Sequence, residues 1–190
     1  MRIGILGGTF DPPHKGHLAL AHAAVHQLAL DQLIFVPAFQ PPLKHGQNLT
    51  EVSHRFEMVR RAIAEKPKFH ISDCEITRGG ISYTVDTLRE FRKQCPKPHE
   101  LFFITGGDWG QNLEKWKEID AIFSLAHFIV ARRPGFNLKP LPEEVEFLDF
   151  VPLDISATQI RECWKREEDV SSMVPIAVID YIRSHQLYRK

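Results

Sequence analysis

Residues 1–17 read MRIGILGGTFDPPHKGH, and this opening stretch decides the fold class. The apolar run from Arg2 to Gly7 is typical of a buried strand, and the glycines at its end predict a loop. From Gly16 onward, apolar residues recur at helical spacing, namely Leu18, Ala21, Val25 and Leu28. The stretch therefore predicts a strand, a loop and a helix in direct succession.

Strand and helix signals keep alternating downstream. Further strands are predicted at 33–36, 69–76, 101–104, 127–131 and 147–151. Helices are predicted from about 48–51 to 63, at 84–94, at 119–125, from 156, and at 175–185. This alternation predicts an α/β fold, with a Rossmann-like parallel sheet and helices on both faces. In such sheets, ligands bind beyond the carboxyl ends of the strands.

Composition limits the classes of partner. The chain has 190 residues, with 24 basic and 24 acidic side chains, so we expect a single domain and no nucleic-acid partner. Its three cysteines form no CxxC pair, and the N-terminal stretch has neither a signal-peptide core nor a membrane span. We therefore expect a cytoplasmic protein with no membrane partner. The sequence leaves homo-oligomer formation open.

The first strand–helix junction has the chemistry of a phosphate site. A helix N-terminus presents free backbone N–H groups and partial positive charge. Gly7 and Gly8 let a bulky ligand approach the backbone. His14 and His17 lie three residues apart, so both rings can point at one anion and donate hydrogen bonds as charge develops on phosphorus.

Two other interpretations of this junction are a dinucleotide-binding redox enzyme and a metal site. The glycine spacing does not match the GxGxxG dinucleotide fingerprint, and no acidic residue closes the next strand, which counts against a redox enzyme. His22 and His26 continue down the same helix, but the four histidines span more than two turns. That distance is too long for one tetrahedral metal centre, so we expect no metal site and assign His22 and His26 to a helix face.

A second cluster lies in ISATQIR at 155–161, where the last long loop enters a helix. Ser156 is a suitable N-cap residue. Hydroxyls and backbone N–H groups at this helix start, with Arg161 one turn further on, can bind phosphates. Taken alone, the motif is better explained as an ordinary capped helix with a solvated arginine.

The two clusters together carry a family resemblance. GGTFDPPHKGH at 7–17 with ISATQIR at 155–161 resembles the HxGH nucleotidyltransferase superfamily, and the residues between them are similar to bacterial nicotinate-nucleotide adenylyltransferases. The further matches are PPLK at 41–44, ISYTVDTL at 81–88, FFITGGD at 102–108, Lys115-Trp116, RRPGF at 132–136 and HQLYR at 185–189. They extend over nearly the whole chain.

The resemblance implies that ATP and nicotinate mononucleotide react, with Mg²⁺, to give nicotinate adenine dinucleotide and pyrophosphate in NAD biosynthesis. It implies catalytic roles for His14, His17 and Arg161. It also implies an ATP site formed by Gly7, Gly8, Thr9, Phe10, His14, His17, Gly106, Asp108, Ile155, Ser156, Thr158 and Arg161. The C-terminal helical part, 156–190, would complete this site within the same domain.

The resemblance places the mononucleotide at Lys44, Tyr83, Thr84, Asp108, Trp116 and Arg133. Physical chemistry agrees for several of them. Tyr83 and Trp116 are flat rings that can stack on a pyridine, although core packing is the alternative for each. Thr84, at a predicted helix start, offers a hydroxyl and an N–H to a ring carboxylate, and Arg133 can bind the phosphate of the mononucleotide.

The chain departs from the family pattern at two places. The family often has a histidine and then a basic residue after its Pro-Pro pair, whereas Leu43, Lys44 and His45 follow it here. We assign the role to Lys44, with His45 as the alternative. Thr105 replaces the usual isoleucine before Gly106. The other interpretations kept open are a sister enzyme such as phosphopantetheine adenylyltransferase and a non-catalytic nucleotide sensor.

Overall fold

The computed structural model describes residues 1–42, 48–95, 98–106, 113–132 and 141–189. Within these ranges the strands are β1 (Arg2–Gly8), β2 (Gln32–Pro37), β3 (Phe69–Ile71), β4 (Glu100–Gly106), β5 (His127–Arg132) and β6 (Val145–Asp149). The α-helices are α1 (Lys15–Gln27), α2 (Val52–Ile63), α3 (Cys74–Arg78), α4 (Thr84–Gln94), α5 (Ile119–Leu125), α6 (Ala157–Lys165) and α7 (Ile176–Ser184). A short 3₁₀ helix spans Leu113–Lys115.

The strands form one parallel sheet in the order β3-β2-β1-β4-β5-β6. From β1, the strands β2 and β3 follow on one side, and the strands β4, β5 and β6 follow on the other. The adjacent carboxyl ends of β1 and β4 therefore form the switch point, where ligands bind in open α/β sheets. This arrangement confirms the predicted Rossmann-like fold.

Alternating strand residues supply two hydrophobic cores, one on each face of the sheet. Leu6, Phe35 and Ile104 pack on the face that buries residues of α1, α2, α6 and α7. Ile5, Val36 and Phe103 pack on the face covered by α3, α4 and α5. Since both faces are covered, the central strands β1, β2 and β4 have continuous buried runs, as expected for a parallel sheet, whereas the edge strands β3 and β6 also carry exposed polar residues.

Most predicted elements are confirmed, and the third strand needs a correction. The strand predicted at 69–76 ends at Ile71, because within the described residues β3 pairs with β2 alone and over three residues. Ser72 then turns the chain, since its hydroxyl accepts a hydrogen bond from the Cys74 backbone N–H at 3.3 Å. The last part of the predicted strand, from Cys74 onward, lies in the short helix α3.

Smaller differences concern the ends of elements. The last strand is Val145–Asp149 rather than 147–151, and α2 begins at Val52 after Glu51 rather than near Asn48. The predicted helices at 84–94 and 119–125 match α4 and α5. No helix in the described ranges is both long enough and apolar enough to cross a membrane.

Candidate active site

The loop between β1 and α1 lies at the switch point of the sheet. The Ala38 backbone N–H donates to the Gly8 carbonyl at 2.9 Å, so the exits of β1 and β2 are joined there. A Cβ on Gly8 would lie 2.8 Å from the Phe10 ring, which explains why glycine is needed at this position. A Cβ on Gly7 would make only ordinary contacts with Phe103, so Gly7 is not required by packing alone.

Phe10 has a structural role that its sequence position did not reveal. Its side chain is 2% exposed, and its ring packs edge-on against His17 with the centroids 5.0 Å apart. The backbone of Phe10 adopts a left-handed φ of 51°, which is uncommon for a residue with a Cβ. We predicted that Phe10 lines an ATP site; with the ring buried under His17, only its backbone is available for that contact.

His14 and His17 stack on each other, with ring centroids 3.7 Å apart. The His14 backbone N–H donates to Nδ1 of His17 at 3.2 Å. A neutral imidazole that accepts at Nδ1 has its proton on Nε2. The fold therefore sets the tautomer of His17 so that Nε2 is a hydrogen-bond donor.

His14 is buried, with 8% of its surface exposed, and burial lowers its pKa to about 4. Its Nδ1 is buried without a hydrogen-bond partner among the described residues. A Cβ on Gly16 would lie 3.0 Å from this atom, so the glycine of HxGH makes room for the ring. Sequence reasoning gave Gly16 no role, although its fixed place between the two histidines was a visible signal.

Arg161 joins the second helix start to the first loop. Its Nη1 donates to the Asp11 carbonyl at 2.7 Å, and its Nη2 donates to the Thr158 hydroxyl at 3.3 Å. Ser156 caps α6 as predicted, since its hydroxyl accepts from the Gln159 backbone N–H at 3.1 Å. Two clusters that lie far apart in the sequence thus meet beside the switch point, with Ile155 half-buried at the entry to α6.

Asp11 is a support of this loop that sequence reasoning missed. It is 3% exposed, and the Tyr188 hydroxyl donates to its Oδ1 at 2.6 Å. The Thr50 backbone N–H donates to Oδ2 at 3.2 Å. Burial and the nearby Asp11 carboxylate raise the pKa of Tyr188. The motifs GGTFDPPHKGH and HQLYR contain both side chains, but only the fold shows that they are partners.

Arg55, on α2, is a second buried support of the loop between β1 and α1. Its side chain is 1% exposed and, among the described residues, donates to carbonyls alone, at 2.8 Å to Thr9, 2.7 Å to Ala38, 2.8 Å to Thr50 and 3.2 Å to Phe39. Burial lowers the pKa of Arg55, and the Asp11 carboxylate offsets part of that decrease. The buried guanidinium therefore fixes the backbone at the exits of β1 and β2.

The start of α4 lies at the same edge of the sheet. The Ser82 backbone N–H donates to the Gln40 carbonyl at 2.9 Å, which places the residues before α4 against the segment that follows β2. Thr84 is the first residue of α4, and its side chain is half-buried. The Lys117 ammonium lies 4.5 Å from the centre of the Tyr83 ring. One face of that ring is therefore occupied by a cation.

Trp116 is anchored by the sheet. Its ring packs edge-on against Phe103 and Phe128, with centroid distances of 5.6 Å and 5.3 Å. The side chain is half-buried, so packing accounts for part of its surface and leaves part exposed. Both uses considered for this residue, core packing and ring stacking, are compatible with this position.

Other predicted residues are placed as follows. Gly106 ends β4, and a Cβ there would meet no described atom within 4 Å. Thr105 is buried, with 7% of its surface exposed. The remaining predicted residues, Lys44, His45, Asp108 and Arg133, lie outside the described residues.

The helix-face histidines lie on α1 as expected, away from its N-terminus. His22 is exposed and packs against the ring of Phe69, with the centroids 4.7 Å apart, and His26 is exposed in the last turn. In the parts of the chain that the structure describes, no three His, Cys, Asp or Glu side chains come together as a metal site would require.

Known proteins resemble the chain along its whole length. The model of the cytidylyltransferase-like family matches residues 5–163. A protein of Desulfitobacterium hafniense, named "Probable nicotinate-nucleotide adenylyltransferase", is 44% identical over 199 aligned residues, which cover 99% of this chain and 96% of that protein. A protein of the same name from Clostridium tetani is 40% identical and covers 97% of this chain and 98% of its own length.

Solved structures agree in fold. The nicotinic acid mononucleotide adenylyltransferase of Plasmodium falciparum, complexed with NaAD, superposes with a TM-score of 0.80 over 98% of this chain and 97% of that chain, at 22% identity. At that identity the likeness supports the fold, whereas the curated relatives support the family. The chain therefore belongs to the cytidylyltransferase-like family and, within it, to the nicotinate-nucleotide adenylyltransferases.

Proposed function

We propose that this chain condenses ATP with nicotinate mononucleotide to give nicotinate adenine dinucleotide and pyrophosphate, a step of NAD biosynthesis. Its relatives at 40–44% identity share this named activity. The observation that supports the proposal most strongly is the Arg161–Asp11 hydrogen bond of 2.7 Å, because it brings two helix N-termini to one loop at the switch point. Two helix N-termini and two histidines suit a polyanion such as a triphosphate.

The reaction needs no nucleophile from the protein. An oxygen of the mononucleotide phosphate attacks the α-phosphorus of ATP, and the bond from that phosphorus to the bridging oxygen breaks as pyrophosphate leaves. Since the attacking phosphate is already ionised at neutral pH, no general base is required. The protein contributes positioning and stabilisation of the charge that develops on the α-phosphate.

The first helix start supplies donors for the α-phosphate. With its proton on Nε2, His17 can donate to an oxygen of the phosphorus under attack. His14 is neutral in the ligand-free protein, because burial lowers its pKa to about 4. A triphosphate beside it would raise that pKa and favour the charged ring, so His14 becomes a stronger donor when ATP binds.

The second helix start supplies the grip on the outer phosphates. In this proposal Ser156, Thr158 and Arg161 bind the β- and γ-phosphates, and residues 156–190 complete the ATP site. Besides the bonds of Arg161 and Tyr188 to Asp11, two contacts of Lys15 hold this C-terminal part in place. The Lys15 backbone N–H donates to the Met173 carbonyl at 2.8 Å, and Lys15 Nζ donates to the Ser171 carbonyl at 2.8 Å.

The acceptor binds beside the start of α4. The free N–H groups of that helix, together with Thr84, suit the ring carboxylate that distinguishes nicotinate from nicotinamide. The exposed part of Trp116 offers a surface for the pyridine ring. We assign the riboses and the mononucleotide phosphate to residues at the carboxyl ends of three strands. They are Gly106 at the end of β4, Asp108 after β4, Arg133 after β5 and Lys44 after β2.

Magnesium enters this proposal with the substrate, as MgATP, which agrees with the general use of Mg²⁺ and ATP by nucleotidyltransferases. The buried carboxylate of the β1–α1 loop, Asp11, already accepts hydrogen bonds at both of its oxygens, so the ion is assigned to the phosphates. Small-molecule substrates are the partners that we propose. A cytoplasmic location and the absence of nucleic-acid and membrane partners stay predictions.

One assay tests the function. The protein is supplied with ATP and Mg²⁺ and, in separate reactions, with nicotinate mononucleotide, nicotinamide mononucleotide or phosphopantetheine, while pyrophosphate and the adenylated product are followed. We expect the highest kcat/KM on the nicotinate acceptor, because helix N–H donors suit a carboxylate. Equal efficiency on both pyridine acceptors would contradict the acceptor assignment. ATP binding without pyrophosphate release would identify a nucleotide sensor instead.

A further inference from the structure

A buried carboxylate that the mechanism above does not use lies beneath the start of α4. Glu75, on the short helix α3, is 6% exposed. The Thr87 hydroxyl donates to its Oε1 at 2.6 Å. Burial raises the pKa of Glu75, and the hydroxyls of Thr87 and Ser82 oppose that shift. Ser82 comes directly before the Tyr83-Thr84 pair, and Thr87 follows the pair in the first turn of α4.

The network continues from Ser82 into the segment after β2. The Phe39 backbone N–H donates to the Ser82 hydroxyl oxygen at 2.9 Å, and the Ser82 backbone N–H donates to the Gln40 carbonyl at 2.9 Å. Ser82 therefore joins the start of α4 to the exit of β2, while Thr87 joins the same helix to Glu75 on α3.

The chemistry of this junction requires a group that only accepts hydrogen bonds. An ionised carboxylate accepts at both oxygens, whereas an amide of the same shape turns an NH₂ group toward one of its partners. Arg78 completes the network on the outer side, since its Nη2 donates to the Thr87 hydroxyl at 2.9 Å and its Nη1 lies 3.1 Å from Glu90. Glu90 contacts this arginine but lies outside the contacts that join α4 to Phe39.

We propose that Glu75 is a positioning residue for the acceptor subsite. By accepting from the Thr87 hydroxyl, it fixes the first turn of α4, with Tyr83 and Thr84, against the segment that follows β2. The inference rests on the proposed function, because that function places the nicotinate ring at the start of α4. Glu75 acts through these neighbours and touches no substrate.

The test compares the two substrates in one variant. In Glu75→Gln, we expect the KM for nicotinate mononucleotide to rise roughly tenfold, since one buried hydrogen bond is lost or reversed, and the KM for ATP to stay within about twofold. Glu90→Gln is the matched control, and it should leave both KM values unchanged. An unchanged KM for the mononucleotide, or an equal rise in both KM values, would overturn the inference.

A second variant tests the inference if Glu75→Gln does not fold. If Glu75→Gln has no cooperative thermal transition at the assay temperature, Thr87→Val decides, because it removes the hydroxyl that donates to Glu75 and keeps the carboxylate. The same split between the two KM values is expected, and its absence would overturn the inference.

The wild-type protein separates this result from the proposed function. If it forms no dinucleotide from ATP and nicotinate mononucleotide, both fail, whereas an active wild type with unaffected variants removes only the role of Glu75.

Discussion

The phosphate end and the acceptor end of the site are built differently. At the phosphate end, the residues come from two short motifs, and buried side chains hold them from beneath: Arg55 and Asp11 are 1% and 3% exposed. At the acceptor end, the candidate residues come one or two at a time from segments after several strands, among them Lys44, Asp108 and Arg133. In the proposed assignment, charge stabilisation is tied to the core of the fold, while acceptor recognition is distributed along the chain.

This difference implies that the two ends should fail separately. Changes at the phosphate end should affect kcat and the KM for ATP. Changes at the acceptor end should affect the KM for the mononucleotide. The expected effects below run from the largest to the smallest, and each can break or sharpen that separation.

His17→Ala should have the largest effect. Loss of a preorganised donor to a developing negative charge typically lowers kcat by about 10²–10³-fold. The fold should persist, which circular dichroism and thermal melting would verify. The control is His26→Ala, at an exposed position near the other end of α1, with kcat within about twofold of wild type. A kcat for His17→Ala close to the wild-type value would remove His17 from the mechanism.

His14 should make the stability of the ligand-free protein depend on pH. Its pKa is lowered from 6.5 to about 4 in the folded state, so the unfolded chain binds the proton more readily. The free energy of unfolding should therefore fall as the pH drops below about 6.5, by on the order of 3 kcal/mol at about pH 4.

Urea titrations of wild type and His14→Asn across this pH range measure that contribution. The stability advantage of the wild type over the variant should shrink by the same amount as the pH falls. Parallel stability curves would show that His14 is not buried as a neutral ring.

Arg161→Ala should raise the KM for ATP by roughly ten- to a hundredfold, as expected for the loss of charge-assisted hydrogen bonds. The KM for the mononucleotide should change little, because Arg161 donates to the Asp11 carbonyl in the β1–α1 loop, at the end of the site that we assign to ATP. Lys165→Ala is the control, since Lys165 lies one turn further along α6 and pairs with Glu162 at 2.9 Å. Equal rises in both KM values would mean that the two ends are not separable.

Trp116→Leu should have the smallest effect, a rise of roughly two- to tenfold in the KM for the mononucleotide, which corresponds to one aromatic contact. The variant will also lose packing against Phe103 and Phe128. Phe123→Leu is therefore the matched control, because the Phe123 ring packs on the same Phe128, with centroids 5.6 Å apart. If both variants lower stability but neither changes this KM, Trp116 is a core residue only.

The sequence was sufficient for the parts that depend on local patterns. Alternating strand and helix signals predict the parallel sheet, and the capping chemistry at Ser156 predicts the start of α6. The third strand was predicted too long because its residues look β-forming, whereas an edge strand ends where its only partner, β2, stops pairing. Local propensity does not record that limit.

The supporting residues could not be predicted in the same way. Arg55 and Glu75 lie in helices among other charged residues, where a charged side chain is normally solvated. Only the fold shows that Arg55 donates to four carbonyls and that Glu75 accepts from the Thr87 hydroxyl. Phe10 was predicted to face a ligand because of its motif, and the structure uses its ring to hold His17.

The most direct test is a crystal structure of the protein with a non-hydrolysable ATP analogue and Mg²⁺. We expect oxygens of one triphosphate within about 3 Å of both an imidazole nitrogen of His14 or His17 and the guanidinium of Arg161. A triphosphate that contacts only one of the two helix starts would contradict the proposal that they act on the same ligand.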